Sequence, residues 1–138
     1  MGADLYIEKI TNETTKRWRK ELDKAKPGRR KWEYYWSKMY PATGYFRDSY
    51  NDGNLLWKFG LSYWNDFPKL MRRGSQLMSP AKVKILLKML KEREESFQIG
   101  IAMNCSDEER RYYLKKYKRL KRFLNNAIKL NTFIRCSI

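Results

Sequence analysis

The two ends of the chain limit its fold more than anything between them. The opening ADLYIEKI alternates, with Ala3, Leu5 and Ile7 on one side and Asp4, Tyr6 and Glu8 on the other. A period of two predicts a half-buried strand, because successive strand side chains point to opposite faces. The tail TFIRCSI alternates as well, putting Ile134, Cys136 and Ile138 on one side. Two terminal strands cover their apolar sides most simply by pairing with each other and packing on what the middle forms. Helical periods fill that middle. The predicted class is therefore mainly α with a small terminal β-sheet (α+β), about five helices lying between an N-terminal and a C-terminal strand that pair.

Thr11 or Asn12 is expected to cap a first helix running to about Ala25, with Trp18, Leu22 and Ala25 facing inward. Pro27-Gly28 breaks it. Trp32, Tyr35, Trp36 and Met39 form an i, i+3, i+4, i+7 stripe on a second helix over 29–40, ended by Pro41. Residues 44–49 read as a loop. Ser49 and Asp52 have capping-box spacing, and a helix to about Trp64 is expected after them. Its stripes, Trp57, Leu61 and Trp64 beside Leu56, Phe59 and Tyr63, predict burial over a wide arc. Ser79-Pro80 starts a helix with Ser at N-cap and Pro at N1, and Val83, Leu86, Leu87 and Leu90 face inward until about 97–100. Ser106 with Glu109 forms a second capping box, opening a last helix whose buried stripe is Tyr113, Tyr117, Leu120, Leu124 and Ile128.

At 138 residues, 42% hydrophobic and 15% aromatic, the chain suits one domain, a single basic and mostly helical unit over 1–138. Thirty-one Lys and Arg face fifteen Asp and Glu, a net charge of +16. Such an excess points to an anionic partner or, alternatively, to a solubility surface. The chain has no histidine and two cysteines, which excludes a zinc site and the histidine-dependent triads. Both thiols are expected to be reduced, with Cys136 a small core residue rather than a nucleophile. No signal peptide and no membrane-length apolar run is visible, so a cytoplasmic location is expected. Tyr6 stands where a myristoylation motif wants Ser or Thr. DSYNDG, residues 48–53, fails the EF-hand pattern, with Tyr50 at its third position and Phe59 at its twelfth. Walker, GxGxxG and GxSxG motifs are missing, so neither a metal nor a cofactor is predicted.

Arg111, Lys115, Lys118 and Arg122 are spaced 4, 3 and 4, which sets four cations on one face of the last helix. Lys116, Arg119 and Lys121 widen the row. Like charges at this spacing repel, and a phosphate backbone is the ligand that relieves them. Arg29, Arg30 and Lys31 form a second cluster, and Arg72 and Arg73 a third. The stretch 44–67 holds eight aromatic residues around Arg47 and Asp48. Arg47 and Tyr50 are candidates for stacking on or orienting a base, while Tyr45 and Phe46 fit a core. Asp48 and Asp52 read as a turn and a cap more readily than as an acid/base couple.

The segments MGADLYI, GYFRDSYND-NLLW-FGLS-W and the final CSI resemble those of small uncharacterised bacterial and phage proteins, over about a quarter of the chain. The resemblance implies no fold, site or cofactor. It implies a mobile-element setting: a compact protein in the host cytoplasm that blunts host defence. The first expectation is therefore a non-enzymatic binding protein engaging nucleic acid or a phosphate-bearing nucleotide, an anti-defence inhibitor in that setting. The alternative is an interaction protein docking on an acidic protein surface, such as that of a host protein. A third is a small metal-independent nuclease or transferase using Asp48 or Asp52.

Overall fold

A computed structural model describes residues 2–49 and 53–138. Strand β1, Gly2–Ile7, and strand β4, Ile134–Ser137, pair antiparallel with Leu5 opposite Cys136. The inward side of this pair is the predicted one: Ala3, Leu5, Ile7, Ile134 and Cys136 are all buried. Two further strands extend the sheet. Strand β2, Tyr45–Ser49, lies on the other side of β1 with Asp4 opposite Arg47, and β3, Leu77–Met78, adds to β4. The order is β2-β1-β4-β3.

The expectation of a loop over 44–49 is thus corrected to a strand. Its alternation is real, with Phe46 and Asp48 buried and Arg47 exposed between them. It was hidden because one of the two inward positions carries a carboxylate.

Seven helices are present among the described residues, where about five were expected. Helix α1, Glu8–Lys24, starts directly after β1 and earlier than Thr11 or Asn12 would allow. Its N-terminal donors are satisfied from far along the chain. The Glu8 amide donates to the Phe133 carbonyl at 3.0 Å and the Lys9 amide to Thr132 Oγ1 at 3.3 Å. Helix α2, Arg30–Met39, folds back on α1 and carries the predicted stripe. Its Trp36 and Tyr40 pack on Tyr45 with ring centroids 5.8 and 5.4 Å away. The α1–α2 hairpin therefore meets the sheet on the face opposite the core.

The single helix expected up to Trp64 is corrected to one short helix followed by turns. Helix α3, Leu55–Lys58, ends at Phe59, and Gly60 takes φ +71°, a left-handed conformation that glycine tolerates best. The Ser49–Asp52 capping box lies outside the described residues in part; the cap seen is Asn54, whose side chain accepts from the Trp57 amide at 2.8 Å. Leu56, Phe59, Leu61 and Tyr63 are buried as expected, whereas Trp57 and Trp64 are 58% and 61% exposed. The broken helix no longer carries them inward. Helix α4, Phe67–Leu70, follows.

Helix α5, Pro80–Glu92, begins at Ser79 and buries Val83, Leu86, Leu87 and Leu90 as predicted. It stops before 97–100, because the chain turns at Arg93 and restarts as α6, Glu94–Asn104. The Arg93 guanidinium donates to the Phe59 carbonyl at 3.2 Å, and Phe97 stacks on Phe59 with centroids 4.1 Å apart. Helix α7, Asp107–Leu130, opens on the predicted capping box and ends at Asn131, which takes the left-handed conformation. Helices α5 and α7 pack together and enclose the core against the sheet.

Candidate functional site

The most thoroughly bonded polar group is Asp48. It is the one buried charged residue among the described residues, 1% exposed at the sheet's inner face. Its carboxylate accepts from the Ser49 amide at 2.9 Å, the Leu55 amide at 3.0 Å and the Tyr63 hydroxyl at 2.6 Å. Lys116 of α7 completes the shell with Nζ 2.8 Å away. Burial pulls the Lys116 pKa down, but its bonds to Asp48 and to the Tyr112 hydroxyl outweigh this, and the net shift is upward. Burial, then the Asp48 charge, hold Tyr63 well above a normal phenol. Every lone-pair direction of Asp48 is thus engaged in tying β2, α3 and α7 together, and no oxygen is left to serve as a base. Asp52, its proposed companion, lies outside the described residues.

On the other face of the sheet Arg47 stands beside an aromatic nest. Tyr6 and Tyr45 stack at 5.2 Å, and Trp36 and Tyr40 from α2 close over them. Together with Asp4 and Arg47 they line a small recess of about 160 Å3. Tyr45 donates to Asp4 Oδ1 at 2.5 Å, and Arg47 Nη1 lies 3.5 Å from the same oxygen. Burial, then the bond to Asp4, raise the Tyr45 pKa. Arg47 is therefore paired with Asp4, across the strand register, and not with its neighbour Asp48. Tyr50, the other stacking candidate, lies outside the described residues.

The cationic face of α7 stands clear of both features. Arg111, Lys115, Lys118 and Arg122 are exposed, and none of them has an ion-pair partner among the described residues. Three of them, Arg111, Lys115 and Lys118, line a cleft of about 410 Å3 between α6 and α7. Arg122 continues the same row beyond it. Of the flanking residues, Lys116 is withdrawn into the Asp48 pair, while Lys121 bends into the cleft and donates to Glu94 Oε1 at 3.1 Å. The Lys121 bond, ahead of a small opposing effect of burial, lowers the Glu94 pKa.

The cleft floor is Tyr117, 2% exposed, with the Lys121 ammonium 4.4 Å from its ring centre. The Tyr117 hydroxyl is shut away from solvent, and among the described residues it makes no hydrogen bond of regular geometry. Burial, then the nearby Glu94 carboxylate, raise its pKa. Tyr117 was predicted as plain core, from its place in the apolar stripe. Nothing in the sequence marks its hydroxyl, because the Glu94 carboxylate comes to it from another helix.

The structure does not gather all the predicted cations. Arg29, Arg30 and Lys31 are exposed at the far turn of the α1–α2 hairpin, which meets the opposite face of the sheet. No hydrogen bond, ion pair or ring contact among the described residues joins them to α7. Arg47 is also on that opposite face, because Asp48, its neighbour in the strand, is the one that points to α7. Among the described residues no group of three potential metal ligands comes together, and no helix is long and apolar enough to cross a membrane.

Comparison with known proteins supplies no counterpart: no family model matches the sequence, and neither a curated protein nor a solved structure matches it.

Proposed function

We propose that this is a non-enzymatic binding protein that grips the phosphate groups of a nucleic acid or nucleotide with the outer face of α7. The observation that carries this reading is the state of Arg111, Lys115, Lys118 and Arg122: four neighbouring cations on one helix face, exposed and without ion-pair partners. Other cations of the fold are spent on acids, as in Lys116 with Asp48, Lys121 with Glu94 and Arg135 with Glu8. With thirty-one Lys and Arg to fifteen Asp and Glu, many more stay unpaired, and what sets this row apart is its alignment along one helix face at the edge of a cleft. A row left unpaired within a few ångströms of its own like charges carries a repulsion that an anionic ligand removes. Release of counterions from a phosphate backbone adds to the gain. In the phage-like setting that the sequence resemblance implies, such a protein is an inhibitor that captures a nucleotide signal or masks a nucleic acid.

The test is fluorescence anisotropy with a labelled single-stranded oligonucleotide, comparing the wild type with the double variant Lys115→Glu, Lys118→Glu. The wild type is expected to bind, and the variant to lose affinity by at least about tenfold, since two phosphate contacts become two repulsions. Equal affinity in both would refute the assignment.

The exposure of Trp57 and Trp64 favours a second reading, docking on an acidic protein surface with these rings as anchors. It differs in its dependence on salt, because binding held by apolar anchors weakens little as ionic strength rises.

A further inference from the structure

We propose that the α6–α7 cleft accepts a nucleoside phosphate as a discrete ligand, with the phosphate at its cationic lip and the nucleoside inside; this rests on the phosphate-binding reading above. A helix face that only follows a nucleic-acid backbone needs no depth. Here the cations edge a cleft of about 410 Å3, within the range of sites that enclose small organic ligands.

The cleft is also chemically divided. The exposed cations Arg111, Lys115 and Lys118 share its lining with the buried ring of Tyr117, with Leu114 and with Gln98. Leu114 is 37% exposed, an apolar surface left open on a helix otherwise rich in charge. Phosphate alone has no use for such a surface; a planar base does. Two further groups fit a nucleoside and not a bare anion. The Tyr117 hydroxyl is buried, makes no hydrogen bond of regular geometry among the described residues and has only the Glu94 carboxylate near it, so a well-placed ligand acceptor would give it a better bond. Glu94 would repel a lone phosphate. Paired with Lys121 at 3.1 Å, it is held in the cleft with a second carboxylate oxygen that can accept from sugar hydroxyls. Lys121, 31% exposed, lies over the Tyr117 ring while it holds Glu94.

Isothermal titration with adenosine 5′-monophosphate, uridine 5′-monophosphate and inorganic phosphate tests this, alongside the labelled single strand. At least one nucleotide is expected to bind about tenfold tighter than phosphate and to displace the strand. Tyr117→Phe, which removes only the buried hydroxyl and keeps the core ring, is expected to weaken that nucleotide about fivefold and leave phosphate affinity unchanged. Thermal unfolding of the variant verifies that it is folded. If the strand binds but neither nucleotide exceeds phosphate, or Tyr117→Phe binds nucleotide as the wild type does, the discrete-ligand inference is overturned while the phosphate-binding reading stands. If neither strand nor nucleotide binds the wild type, the phosphate-binding reading itself fails.

Discussion

Asp48 shows how one residue can look like a site and be a joint. Within the sequence it sits among aromatics and polar groups. In the fold it caps α3 from outside, anchors Tyr63 and neutralises Lys116. Asp48→Asn leaves the Lys116 ammonium buried beside a neutral group, and removing one partner of a buried pair costs about 3–5 kcal/mol. Urea unfolding at neutral pH checks this; a loss below about 1 kcal/mol would contradict the joint role. The same pair sets a pH response. The folded Lys116 pKa is above its usual 10.5, so the stabilisation is complete below that value and is lost as pH rises through the folded pKa. Tyr63, also raised, acts in the same direction. Wild-type stability is expected to fall steeply in the alkaline range, and Asp48→Asn to show a shallower fall. On β4 of the same sheet, burial pushes the Cys136 thiol up to about 12. Labelling with a thiol reagent at pH 8 is expected to modify Cys105 and to reach Cys136 only after denaturation; rapid double labelling of the native protein would contradict its burial.

Among the elements, legibility followed the range of the interactions that define each one. Both terminal strands, the Ser79-Pro80 start and the Ser106 capping box depend on residues within a few positions, and all four were readable. Ser106→Ala is expected to cost about 1 kcal/mol, since it takes the acceptor away from the Glu109 amide while the Ser106 amide keeps its bond to the Glu109 carboxylate. Thermal unfolding of this variant measures it, and an unchanged midpoint would show that the box is idle. The elements that were misread are defined at long range. Helix α1 starts without a local cap because the 132–133 segment, more than a hundred residues away, supplies the acceptors. Strand β2 was hidden because its inward Asp48 is matched by a lysine on α7. The division between α5 and α6 reflects Arg93, which leaves the helix to bind carbonyls at Phe59 and Gly60. The candidate site divides in the same way: the cationic row of α7 is a periodicity of one helix and could be read, whereas the cleft beside it exists only once α6 is placed.

For the whole molecule, the sheet separates two surfaces. The α1–α2 hairpin, the aromatic nest and Arg47 belong to one face, and α7 with its cleft to the other. The basic clusters read from the sequence are therefore divided between the two faces. The cluster Arg29, Arg30 and Lys31 is expected to contribute little to phosphate binding at α7, and reversing all three to Glu should lower affinity far less than reversing Lys115 and Lys118. The central claim is that the α7 face contacts phosphates directly, and the salt dependence of single-strand binding tests it most directly. If Arg111, Lys115, Lys118 and Arg122 each meet a phosphate, log K should fall against log salt with a slope near about −3, and the Lys115→Glu, Lys118→Glu variant should flatten it by roughly half. A slope close to zero in the wild type, or the same steep slope in the variant, would contradict the account.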